Sequence, residues 1–405
     1  MASLDNIGVL LPTRGVLVHA QSAGPRVELN WQMAETAERL GYDSVWVGDS
    51  ITSKPRLEPL AVMAALGART SRVKIGTAVM LNALRHPVHL AHSLATIDNI
   101  SGGRVILGVG AGRGNNQMFI DEHTNVGVPI GERAARMEES INLMRSLWTE
   151  EHVSSSGGHY PIQDVTLEPR PVQPSIPVWI SSNWVKRGLR RVADMGDAWI
   201  TNVPSIDLLN QCWARIEDNA SDLGRDPNAI WRALYISVNL NDEDAALSEG
   251  DEFMRAYYSI PYEVISKQLL CVFGSPQKCI DTMHQYQESG INYFIVRFAS
   301  PNQMDQLAKF TEHVLPYLAG FGLSVGLGVG HASIDPRSAV CWPDILGYGV
   351  SSPSPQQRHC PRQLQPPLPF TRDISCSSIK GARPVMVKTP GARHLLLRWR
   401  DIRRR

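Results

Sequence analysis

Short apolar runs alternate with longer amphipathic stretches along most of this chain. The runs at 7–11, 44–47, 73–79 and 104–109 are rich in Val and Ile, and the last is bounded by Gly on both sides. Runs of this length and composition predict strands buried on both faces of a parallel sheet. Between them, 26–40 places Val27, Leu29, Met33, Ala34, Ala37 and Leu40 on one helical face and stops at Gly41. The segments 57–69 and 87–100 also read as helices. The second opens at Pro87, whose missing N–H is harmless in a first turn.

The alternation pauses after the fourth run. A long amphipathic helix is predicted over 131–148, with Ile141, Leu143, Met144 and Leu147 on its apolar side. The stretch 152–173 carries Ser-Ser-Ser-Gly-Gly, then His-Tyr, then prolines, and reads as a hairpin-like excursion. Strands follow at 177–181, 197–201, 231–239 and 293–298. Helices are predicted at 184–195, 205–223, 243–258 and 275–289, the last with Ser275-Pro276 as cap and first position. The segment 301–318 closes the pattern. Eight strands alternating with helices predict a (β/α)8 barrel with a mid-chain insertion; a doubly wound open sheet is the alternative. In a barrel, chemistry belongs at the carboxyl ends of the strands.

Charge divides the chain. From Gly322 onward there are 13 Lys and Arg against 4 Asp and Glu, with ten prolines and no sustained period. The preceding residues carry 27 against 35, which the overall net charge of +1 conceals. We therefore expect a barrel domain over 1–321 and a disordered tail over 322–405, which cannot bury enough surface to offset chain entropy. The tail lacks interleaved aromatic residues, so nucleic acid is not an expected partner. No apolar run is long enough to span a bilayer, and the first residues lack a signal-peptide pattern. The six cysteines lack metal-like or disulfide-like spacing. A cytoplasmic protein is the expectation.

The strand ends carry the candidate chemistry. The fourth strand runs into Gly108-Val109-Gly110-Ala111-Gly112-Arg113-Gly114-Asn115-Asn116. Glycines let backbone approach a ligand, and Arg113 offers a cation there. The pattern is not a dinucleotide fingerprint, because Arg113 occupies the third glycine position. Asp49 and Ser50 follow the second strand, and Ala78 and Val79 end the third. Ser181, Ser182, Asn183 and Trp184 follow the fifth and open a helix bearing Lys186, Arg187, Arg190 and Arg191. A helix N-terminus with hydroxyls and cations reads as an anion site or as an ordinary cap. Arg297, ending the last strand, reads as a contact for an anionic substrate or as a salt bridge under a helix. His19, His86 and His92 read as surface or internally satisfied groups rather than catalysts. No metal cluster or nucleophile elbow is present, which points to chemistry carried by an organic cofactor.

Several motifs resemble the bacterial luciferase-like flavin oxidoreductases. They are Leu40-Gly41-Tyr42-Asp43-Ser44-Val45-Trp46-Val47-Gly48-Asp49, Ile75-Gly76-Thr77-Ala78-Val79, Arg85-His86-Pro87, Ser101-Gly102-Gly103-Arg104 with its glycine loop, and Gly196-Asp197-Ala198-Trp199. Their order and spacing cover about 5–320 and leave out the tail. The resemblance implies a dimeric (β/α)8 barrel binding FMN or the deazaflavin coenzyme F-420. It further implies a non-prolyl cis peptide at Ala78-Val79 supporting the ring. Gly110, Gly112 and Arg113, with Ser181 to Trp184, would hold cofactor, although relatives often have Gly-Gly or Glu-Ser where this chain has Asn183-Trp184. Asp49, Ser50 and Asn116 would contact the ring or a small organic substrate. Deazaflavin relatives that oxidise sugar phosphates carry a histidine where this chain has Ser50. The first expectation is thus a monooxygenase using O2 and FMN reduced by a separate reductase. F-420-dependent hydride transfer and a non-catalytic flavin-binding protein are the alternatives.

Overall fold

The computed structural model of the chain describes residues 4–15, 17, 27–114 and 116–318. His19, Asn115 and the segment 322–405 lie outside them.

From the N-terminus, β1 (Leu4–Leu10), α1 (Glu28–Leu40), β2 (Tyr42–Val47), α2 (Pro59–Arg69), β3 (Lys74–Thr77), α3 (Pro87–Ser101) and β4 (Val105–Val109) alternate as expected. Then α4 (Gln117–Asn125) and α5 (Arg133–Thr149) lead to a hairpin, β5 (Val153–Ser155) with β6 (Ile162–Val165). Alternation resumes with β7 (Val178–Ser181), α6 (Lys186–Met195), β8 (Ala198–Thr201), α7 (Ile206–Asp222), β9 (Trp231–Leu240) and α8 (Glu243–Tyr258). The chain continues through α9 (Tyr262–Ile265), β10 (Cys271–Gly274), α10 (Pro276–Glu288), β11 (Tyr293–Phe298) and α11 (Gln303–His313).

Parallel pairing closes a ring of eight strands in the order β1-β2-β3-β4-β7-β8-β9-β11, with β11 returning to β1. This is the (β/α)8 barrel, and the 152–173 excursion is the antiparallel hairpin. Three elements escaped the sequence pattern, the one-turn α9 among them. β9 is long enough to pair with β8 through Trp231–Leu234 and with β10 through Ser237–Leu240. Thus β10 fills the gap where β8 and β9 diverge. Its signal was the apolar run 269–273 before Gly274. The short α4 follows the glycine loop and bears on the site below.

Inside the barrel, Trp46 and Trp179 meet at 5.1 Å between ring centroids, and Trp179 meets Tyr293 edge-on at 4.8 Å. Glycines make room for this plug. A Cβ on Gly76 would lie 2.3 Å from the Trp46 ring, and one on Gly8 2.4 Å from its indole nitrogen. The indole N–H donates to Ser44 Oγ at 2.6 Å, so its polar atom is satisfied in the core. With this filling, the interior is packed, and usable space opens beyond the carboxyl ends of the strands.

Candidate active site

The site is built around a backbone bulge. β3 stops at Thr77, two residues short of the expected strand, and the Ala78-Val79 peptide is cis. The Ala78 N–H donates to the Val47 carbonyl at 2.7 Å, and the Met80 N–H to the Gly108 carbonyl at 2.8 Å. The bulge is thereby clamped between β2 and β4. Glycine is required opposite it. A Cβ on Gly108 would sit 1.9 Å from the Thr77 carbonyl oxygen, and one on Gly110 2.9 Å from Val79 Cγ2.

Beside the bulge lies a cavity of about 710 Å³, within the size range of cofactor sites. Val79, Gly110, Gly112, Arg113, Ser181, Ser182, Asn183 and Trp184 line it. Gly112 adopts φ +72°, a left-handed conformation that glycine reaches without strain. The amino end of α6 faces the same space with Val185, Arg187 and Gly188. Val185 supplies no side-chain cap, so the first-turn amides are left for another acceptor. Ser182 Oγ lies against Gly188, where a Cβ would meet it at 2.2 Å. Asn183 is fixed by donating to Asn202 Oδ1 at 2.7 Å and accepting from Thr201 Oγ1 at 3.2 Å. Arg191 is spent on Glu138. Past Arg187, a recess of about 270 Å³ is lined by Lys186, Arg190 and Arg215.

A smaller cavity of about 220 Å³ shares Val79, Gly112, Arg113 and Asn202 with the first. Asp49 lines it, but its carboxylate is already committed. It accepts two bonds from Arg85, at 2.6 and 3.1 Å, and one from the Leu81 N–H at 3.0 Å. Asp49 therefore ties the bulge's exit to β2. Ser50 is also engaged. Its hydroxyl donates to Glu122 Oε1 at 2.9 Å and accepts from the Lys54 N–H at 2.9 Å. Glu122, from α4 and 1 % exposed, further accepts from the N–H groups of Ile51, Thr52 and Ser53 and from Ser53 Oγ. Burial pushes the Glu122 pKa up, but the hydrogen bonds from Ser53, Thr52 and Ser50 outweigh it and leave it below its ordinary 4.5.

Arg14, Lys54 and Arg56 also line the smaller cavity, and Arg297 lies buried beside them among Tyr235, Tyr257 and Tyr258. The salt-bridge reading of Arg297 fails, because no carboxylate pairs with it among the described residues. His123 lines the cavity as well. Its Nδ1 bonds the Phe119 carbonyl at 2.8 Å, and its buried Nε2 has no partner.

The structure thus brings Val79, Gly110, Gly112, Arg113 and 181–184 to the larger cavity, while Ala78 lines the smaller one. Asp49 and Ser50 line the smaller cavity while tied to Arg85 and Glu122, whereas Asn116, expected there too, caps α4 by accepting from the Met118 N–H at 2.9 Å and lines neither cavity. The sequence reading passed over Glu122, His123, Arg14, Lys54 and Arg56. None stands at a strand's last residue, and their convergence depends on loop paths. No cluster of metal-ligating side chains occurs among the described residues. Nor is any described helix long and apolar enough to cross a membrane.

The family model of luciferase-like monooxygenases matches residues 6–293. The chain belongs to this family. It is accordingly an oxidoreductase, and the family binds flavin or deazaflavin. Among similar proteins, an F420-dependent glucose-6-phosphate dehydrogenase of Kribbella flavida is 30% identical over 337 residues, covering 76% of this chain and 98% of the relative. One from Amycolatopsis mediterranei is 29% identical, covering 76% and 99%. Monooxygenase RslO1 from Streptomyces bottropensis superposes with a TM-score of 0.66 at 26% identity, covering 78% of this chain and 100% of that one. An F420-dependent secondary alcohol dehydrogenase, with a TM-score of 0.65 at 22% identity, covers 78% and 99% and shares the fold.

Proposed function

We propose that this luciferase-like protein is an F-420-dependent oxidoreductase acting on a small organic substrate. The observation that carries the reading is the positive path leaving the larger cavity, from Arg113 and the α6 amino end past Arg187 to Lys186, Arg190 and Arg215. F-420 carries a phosphodiester and an oligoglutamate chain beyond its ring, so it has anionic groups for the whole path. FMN, with one phosphate, has none for the outer cations. The F420-dependent relatives support the same choice over FMN.

The residues present fit such a group. The Ala78-Val79 bulge supports a flat ring, and Gly110 keeps the space over Val79 open. Arg113, Ser182 and the uncapped amides of α6 would hold the phosphate. When bound, F-420 supplies two-electron hydride exchange. The protein's part is to hold, orient and exclude water. Asp49 and Arg85 fix the bulge. His123 is the group in the smaller cavity placed to take a proton: with its own proton on Nδ1 toward Phe119, Nε2 presents a lone pair. Ser50 stands where sugar-phosphate dehydrogenases carry a histidine, and its hydroxyl is held by Glu122. We therefore do not extend the relatives' glucose-6-phosphate activity to this chain.

Titrating the full chain with F-420 and with FMN, followed by tryptophan quenching, tests the reading. Tight F-420 binding with weak FMN binding is expected. Tight FMN binding alone would refute it in favour of an oxygen-using enzyme supplied by a separate reductase.

A further inference from the structure

Positive charge outnumbers negative in the smaller cavity, where Arg14, Lys54, Arg56 and Arg113 stand against Asp49 and Glu122. Arg14 is 6 % exposed and Arg297 is 2 % exposed. None of Arg14, Lys54, Arg56, Arg113 or Arg297 forms an ion pair among the described residues. Of the two carboxylates close by, Asp49 is paired with Arg85, while Glu122, held by neutral donors of the 50–53 loop, keeps one negative charge, which leaves the cations in excess. The cations instead rest on aromatic faces. Arg14 lies 4.7 Å from the Tyr257 centroid, and Lys54 4.6 Å from that of Tyr258.

Their hydrogen-bonding capacity is only partly spent: Lys54 Nζ donates to the Tyr258 carbonyl at 3.3 Å, and Arg297 donates from Nη1 to Tyr258 Oη at 2.5 Å and from Nη2 to Ser237 Oγ. Arg56 donates from Nη2 to Tyr257 Oη at 2.8 Å, while its buried Nε and Nη1 have no partner. The Nε of Arg297 has none either. Arg14 makes no side-chain hydrogen bond among the described residues. Buried charged donors left unmatched are costly, and the cost falls when an anion enters.

The placement is also built. Arg14 and Arg56 form a backbone bridge joining the loops after β1 and β2. The Gly15 N–H donates to the Pro55 carbonyl at 2.9 Å, and the Leu57 N–H to the Thr13 carbonyl at 2.9 Å. The Arg56 guanidinium lies on Gly48, where a Cβ would meet Cζ at 2.7 Å. Lys54 is presented by the loop that Glu122 holds.

We propose that Arg14, Lys54 and Arg56, backed by Arg297, form a subsite for the acidic group of the substrate, a doubly charged phosphate ester or dicarboxylate. The proposal rests on the reading of the smaller cavity as the substrate's place beside the ring. Two guanidinium forks match the planar oxygens of such a group, and the ammonium adds a third charge. Lys54 itself is poised: burial lowers its pKa to about 8, helped by Arg14, Arg113, Arg56 and Arg297.

The test is calorimetric titration of the full chain, without cofactor, at pH 7 and constant chloride-adjusted ionic strength. The probes are inorganic phosphate, succinate and, as neutral control, glycerol. At least one dianion is expected to bind, with glycerol silent, and Arg56→Gln and Lys54→Met are each expected to weaken it tenfold or more. Phosphate alone binding assigns a phosphate ester, and succinate alone a dicarboxylate. Binding of neither overturns the proposal. So does an affinity unchanged in both variants, or a loss confined to Arg187→Gln, which would place the anion in the cofactor cavity. Should Arg56→Gln fail to fold, Lys54→Met, altering a partly exposed side chain, decides. F-420 is absent from the titration, so failure of the cofactor reading leaves this result standing, and the reverse also holds.

Discussion

Replacing Glu122 tests how the loop carrying Ser50 and Lys54 is held. The buried carboxylate accepts five hydrogen bonds, four of them on Oε1, from Ser50 Oγ and the N–H groups of Ile51, Thr52 and Ser53. Bonds to a charged acceptor are worth about 1.5–3 kcal/mol each by deletion, but bonds sharing one oxygen do not add. The loop also lies near solvent and can rehydrate its amides. Glu122→Ala should therefore cost about 3–4 kcal/mol. Glu122→Gln keeps an oxygen at the crowded position and loses only the charge assistance, which roughly halves each bond, so about 1–2 kcal/mol is expected. Urea unfolding of the full chain, followed by tryptophan emission, reads the difference. With a slope of about 3 kcal/mol/M, the midpoint should fall by roughly 1 M for Ala and 0.5 M for Gln. The pH profile supplies an independent sign. Because the folded pKa of Glu122 lies below its ordinary 4.5, its stabilisation is present above 4.5 and is lost as pH falls through the folded value. Glu122→Gln should lack that acid-dependent loss. Equal midpoints for Gln and Ala, or an Ala cost under about 0.5 kcal/mol, would refute the account of a charge-centred tie.

Three further outcomes are expected. Gly110→Ala should weaken binding of F-420 or FMN at least tenfold and also lower the urea midpoint, because its Cβ would press Val79 Cγ2 at 2.9 Å; unchanged cofactor affinity counts against the bulge as ring support. Arg85→Met leaves the Asp49 carboxylate buried without its cation and should cost roughly 3 kcal/mol in urea unfolding, near the lower end for a broken buried pair because Arg85 still reaches solvent. Dianion affinity should fall as pH rises through about 8, where Lys54 loses its proton; the flanking Arg14, Arg56 and Arg297 stay charged, and Glu122 is already ionised. Tyr257, whose pKa burial raises but Arg56 and Arg297 bring below its ordinary 10, and Tyr258 also face this group, so the discriminating result is a flatter profile in Lys54→Met between pH 7.5 and 9.5.

The alternation of apolar runs with helical stretches determined the barrel, because each βα unit writes its own period into contiguous residues. Boundaries shifted where tertiary pairing intervened. β3 ends at Thr77 because the next peptide turns into the bulge, and β10 exists because β9 outreaches β8 and exposes Ser237–Leu240 to a new partner. The motif around Ala78-Val79, the glycine loop and residues 181–184 were readable for the same local reason: each sits at the end of a strand whose position the pattern fixes. Roles were harder to read than places. Asp49, Ser50 and Asn116 are polar residues near strand ends, and sequence alone does not say whether a carboxylate or hydroxyl faces a ligand or another side chain. Arg85 and Glu122, 36 and 72 positions away, decided that for Asp49 and Ser50. The cation cluster was invisible for a related reason. Arg14, Arg56 and Arg297 come from three loops and strands distant in sequence, and only ring closure, which sets β11 beside β1 and β1 beside β2, brings their charges together.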